Sequence, residues 1–171
     1  MCAPPKPGRW QGDAQEAVIA GHRDTEELPG QALVKRLKHS WPEDDGDSRT
    51  LAAEGWEQLA RFTVAGAREA REPLERAVAL EPGRPGALGG LAVVYRSLGK
   101  EEPSLLEDAS VLLERAQLMK GEDGVTWRAI AASTLLSEGY HGAATYAETC
   151  LEKSPEDRLC EWIRVEALRG Q

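Results

Sequence analysis

The run Ala65-Gly66-Ala67-Arg68-Glu69-Ala70-Arg71-Glu72-Pro73-Leu74-Glu75-Arg76-Ala77-Val78-Ala79-Leu80-Glu81-Pro82 decides the fold, because two later stretches repeat its pattern. They are Ala109-Ser110-Val111-Leu112-Leu113-Glu114-Arg115-Ala116 and Ala143-Ala144-Thr145-Tyr146-Ala147-Glu148-Thr149-Cys150. In each, a small, an apolar and a second small residue fall at i, i+4 and i+7, which is one face of a helix. Pro82 and Pro155 follow the first and third runs, where a helix must end.

A second helix precedes each run. Trp56, Leu59, Ala60 and Thr63 align with Leu88, Leu91, Ala92 and Tyr95, and with Trp127, Ile130, Ala131 and Thr134. We read these as packing positions, with Trp56 and Trp127 in the core. Ala116 to Cys150 spans 34 residues and Ala77 to Ala116 spans 39, an excess that an insertion over Lys100 to Pro103 largely explains. Loops absorb such insertions cheaply, so the register survives. With its 34-residue period, Gly99 after Tyr95 and Pro82 closing a second helix, the chain resembles the tetratricopeptide repeat family over about residues 50–157. The resemblance implies an all-α solenoid of antiparallel helical hairpins, with repeats over about 50–83, 85–121 and 124–156 and a capping helix over 158–171.

Outside the repeats, Pro4, Pro5, Pro7, Gly8 and Gly12 suit an extended lead-in over 1–12. A short helix is expected from Asp13 to Ala20. Another, from Gln31 to Trp41, sets Leu33, Val34, Leu37 and Trp41 on one stripe. An acidic linker from Glu43 to Ser48 completes a 13–48 region ahead of the repeats. Ala, Leu, Glu and Arg are abundant and β-branched residues few, so propensity favours helix nearly throughout.

The net charge of −8 and 29% charged residues argue against nucleic acid as the partner, since phosphate binding needs clustered positive charge. No apolar run approaches the roughly 20 residues of a membrane helix, and no signal-peptide pattern opens the sequence. A cytoplasmic protein is expected. The alternative is lipid anchorage through Cys2, which heads a Pro-rich stretch. Cys150 and Cys160 fall on elements that should stack together, and are expected to be free, buried thiols.

Chemistry finds no foothold. His22, His39 and His141 share no metal-ligand spacing, and Gly86, Gly89 and Gly90 lack the Lys-Ser/Thr and the preceding strand of a phosphate loop. We expect no enzyme, cofactor or metal.

What remains on each first helix is a stripe that, in the family resembled, lines the concave groove. It comprises Glu54, Glu57, Arg61 and Val64, then Gly86, Gly89, Val93 and Arg96, then Val125, Arg128, Ala132 and Leu135. A protein or peptide partner would lie there, with Gly86 and Gly89 bare for close approach and Arg128 supplying a contact charge. Gly89→Arg is accordingly expected to fill the groove and leave the fold intact. The function expected is that of an adaptor or chaperone. Length, acidity and repeat count also resemble the class II chaperones of type III secretion. The alternative is an assembly subunit or lipoprotein-type factor of a larger secretion or envelope complex. Homo- and hetero-oligomers both stay open.

Overall fold

The computed structural model describes residues 28–42, 45–119 and 124–171. The expected lead-in, the helix over 13–20 and Cys2 lie outside them. Among the described residues the chain is all helical: α1 Gln31–Ser40, α2 Ser48–Leu59, α3 Val64–Leu80, α4 Pro85–Leu98, α5 Leu105–Leu118, α6 Gly124–Leu136, α7 Tyr140–Lys153 and α8 Arg158–Arg169. Side chains mark several starts. Asp47 caps α2 by accepting from the Thr50 amide at 2.8 Å, and Thr63 caps α3 through the Gly66 amide at 2.9 Å. Pro85 opens α4, where a missing N–H is harmless.

α2–α3, α4–α5 and α6–α7 are antiparallel hairpins, and they stack so that α2, α4, α6 and α8 pack in succession along one side. α3, α5 and α7 form the other side, as in a helical-repeat solenoid. Between the hairpins lie the small and apolar residues of the repeated pattern: Ala70, Leu74, Ala77, Ala109, Ala116, Ala143, Ala147 and Cys150 are fully buried. α3 runs unbroken through Pro73.

Three expected packing positions fall elsewhere. Ala60 is exposed because α2 ends at Leu59, and Thr63 serves as the α3 cap. Trp127 is half-buried rather than central, its ring stacked on Tyr146 with centroids 6.2 Å apart; the fully buried side chain in that turn is Thr126.

α1 sits on the outer side against α3. It is tied down by Arg115, only 4% exposed, whose guanidinium donates to the carbonyls of Pro82 and Pro29 and to Gln31 Oε1. Burial pulls the Arg115 guanidinium below its ordinary pKa. Carbonyl acceptors satisfy its donors without a second buried charge.

Candidate functional site

A cleft of about 320 Å³ opens at the C-terminal ends of α2, α4 and α6, on the side of the solenoid that these inner helices share. Trp56 and Leu59 come from α2, Phe62 and Val64 from the turn and start of α3, Val93 and Arg96 from α4, and Ala132, Leu135 and Leu136 from α6. α8 closes it, contributing Leu159, Trp162 and Ile163.

The cleft lies at that end because of how α4 packs. Its first half is short of side chains, and neighbours fill the space. A Cβ on Gly89 would collide with Ala129, one on Gly86 would stand 3.1 Å from Val125, and one on Gly90 would stand 2.9 Å from Leu74 and 3.1 Å from Trp56 Nε1. Trp56 Nε1 donates to the Gly86 carbonyl at 2.9 Å. The second half of α4 carries Val93, Arg96 and Ser97, and there the cleft begins.

The expected groove stripe is therefore divided. Val64, Val93, Arg96, Ala132 and Leu135 come together in the cleft. Gly86, Gly89 and Val125 are spent on helix packing, so Gly89 offers no bare surface and Gly89→Arg cannot leave the fold intact. Glu54, Glu57 and Arg61 are exposed outside the cleft, with Arg61 paired to Glu69 at 2.6 Å. Arg128 grips Asp157 through Nε and Nη2 and lies over the Trp56 ring, 5.0 Å from its centroid. Its charge is engaged within the chain rather than offered to a partner.

Periodicity missed several lining residues. Phe62 takes a left-handed backbone conformation, φ 50°, just after α2 and meets Trp162 of α8 with ring centroids 3.7 Å apart. Both remain open to solvent, 45% and 37% exposed, and Val64 and Leu136 on the same rim are likewise exposed.

Among the described residues no carboxylate side chain lines the cleft. Its charged residues are Arg96 and Lys100. Arg96 donates to the hydroxyls of Ser137 at 2.7 Å and Ser110 at 3.4 Å, while its Nε is buried without an acceptor. Glu101 and Glu102, which follow Lys100 directly, are drawn to α3, where they pair with Arg68 at 2.6 Å and Arg71 at 3.2 Å. Among the described residues neither Arg96 nor Lys100 forms an ion pair.

The expectation of free thiols at Cys150 and Cys160 is overturned. The two form a disulfide, with Cα atoms 6.2 Å apart and both residues fully buried. The short turn between α7 and α8 brings them within bridging range. Asp157 lies beside them, and the group has the proximity of a metal site. Its donors are committed, however. The sulfurs are bonded to each other, Asp157 Oδ1 caps α8 by accepting from the amides of Leu159 and Cys160, and Oδ2 holds Arg128.

Comparison with protein-family models, with curated proteins and with solved structures finds no match to this chain.

Proposed function

We propose that this chain is a binding module of the tetratricopeptide type, an adaptor or chaperone that captures a segment of a partner protein in the cleft between α2, α4, α6 and α8. The observation that carries the reading is the rim. Phe62, Val64, Leu136 and Trp162 are large apolar side chains, all exposed, gathered around one concavity with an apolar floor. Exposed apolar residues are ordinary when scattered, but a contiguous set around a concavity is the signature of a recognition site.

The test is site-specific photocrosslinking in the native cell. A crosslinker replacing Leu136 on the rim should give a discrete adduct with a partner protein, and one replacing Lys35 on the outer face of α1 should not. Adducts formed at Lys35 alone would move the binding surface to the outer side.

The disulfide favours a second reading, in which the same module works as an assembly factor in an oxidising compartment such as the bacterial envelope. Buried disulfides persist where thiols are not kept reduced and are rare in the cytosol, where a class II secretion chaperone works. Among the described residues no helix is long and apolar enough to cross a membrane.

A further inference from the structure

We infer that the segment captured in the cleft carries a bulky apolar side chain with a single acidic residue beside it, the apolar group entering between Trp56 and Trp162 and the carboxylate seated on Arg96 and Lys100. This rests on reading the cleft as the partner site. It adds the partner's chemistry.

Charge is the first argument. The chain is acidic overall, at −8, yet among the described residues the lining has two cations and no carboxylate. Arg61, Arg68, Arg71, Arg84 and Arg128 each meet an acid of the chain itself. Arg96 meets only two serine hydroxyls and keeps a buried Nε without an acceptor. Glu101 and Glu102, which follow Lys100 directly, pair instead with Arg68 and Arg71 of α3. Each Nη of Arg96 has a second N–H beyond the one given to a serine, and an incoming carboxylate supplies acceptors for these through charge-assisted hydrogen bonds.

Size is the second argument. About 320 Å³ lies at the small end of ligand sites, enough for one aromatic or two aliphatic side chains and too little for a long acyl chain. Aromatic walls suit a side-chain anchor of the kind that dominates protein interfaces. The rest of the surface sets a limit on the acid. With a net charge of −8, a run of acids would be repelled beyond the two cations, so one acid next to the anchor is favoured over several.

The full chain should be tested against an array of synthetic dodecapeptides that each present one Leu, Phe or Trp anchor, with the neighbouring positions occupied by a single Glu, a single Gln, a single Lys or a run of Glu. Single-Glu peptides are expected to bind about 10-fold more tightly than their Gln counterparts, equivalent to about 1.4 kcal/mol. Arg96→Gln should abolish that preference, and Lys100→Glu should turn it toward Lys, with helical content and thermal midpoint unchanged. Leu136→Arg, at an exposed rim position, should weaken every peptide. Equal binding of Glu and Gln peptides that still depends on Leu136 would overturn the acidic preference and spare the cleft. Binding indifferent to Leu136→Arg and Trp162→Ala would remove the cleft itself. The absence of any peptide binding, or capture of anionic phosphatidylglycerol vesicles in place of peptides, would also overturn the inference.

Discussion

A methyl group added at Gly89 would fall inside the Ala129 side chain, so the α4–α6 contact depends on the bare backbone there. Overpacking of this kind costs about 1–3 kcal/mol. Gly89→Ala should therefore lower the unfolding free energy by an amount in that range, read as a lower denaturant midpoint, while Gly83→Ala, with nothing within 4 Å of the added carbon, should leave the midpoint unchanged. Equal midpoints for the two variants would refute the packing role. Arg128 illustrates the same transfer from binding to structure. Asp157 is 5% exposed at its side chain and relies on Arg128 for its charge partner. Arg128→Ala is expected to cost about 2–4 kcal/mol, within reach of the values for breaking a buried pair and discounted for the guanidinium's 21% exposure. A chemical-denaturation curve superimposed on that of the wild type would contradict this. Both residues were legible in the sequence as members of a face of the inner helices. Which of them meets a neighbouring helix and which meets solvent depends on helix separation, and spacing along one chain contains no term for that.

At the level of elements, α8 does more than cover an end of the solenoid. Its buried face, Cys160, Ile163 and Ala167, packs on α7, while Leu159 and Trp162 turn into the cleft. The disulfide fixes that placement by closing a loop of sequence separation 10. Loop-closure entropy gives about 2–3 kcal/mol for a bridge of this length. Cys150→Ala/Cys160→Ala, or reduction of the denatured protein followed by alkylation before refolding, should lower the thermal midpoint accordingly. Thiol labelling of the unfolded, unreduced protein should modify neither residue; labelling of both would mean that the bridge does not form in the native setting. The sequence places these cysteines on stacked elements and so predicts their proximity, whereas their oxidation state depends on a redox environment that sequence patterns do not encode. The all-helical hairpin architecture itself was readable, because small–apolar–small faces, terminal prolines and helix propensity point to the same answer, while the end of α2 at Leu59 was not.

Across the whole molecule, the Phe62–Trp162 stack joins the turn of the first hairpin to the last helix, a contact between parts of the chain that a purely linear stack would keep apart. This is why the cleft was only partly legible: Val93, Arg96, Ala132 and Leu135 lie on the predicted first-helix stripe, whereas Val64 reaches the cleft from the start of α3, and Phe62 and Trp162 from a turn and the last helix. Two expectations follow for Trp162→Ala. Exposed aromatic pairs add about 0.5–1.5 kcal/mol beyond their area, so the stability loss should be small. Loss of the wall at the cleft should weaken partner capture by a larger factor than that stability loss accounts for. The ring contact also couples the ends of the array. Wild-type unfolding should be a single transition with coincident tryptophan fluorescence and far-ultraviolet circular dichroism, and in Trp162→Ala the two signals should separate as the terminal hairpins unfold independently. If the variant's two probes remain coincident, the coupling resides in the neighbour-to-neighbour helix contacts, and the aromatic pair serves only the cleft.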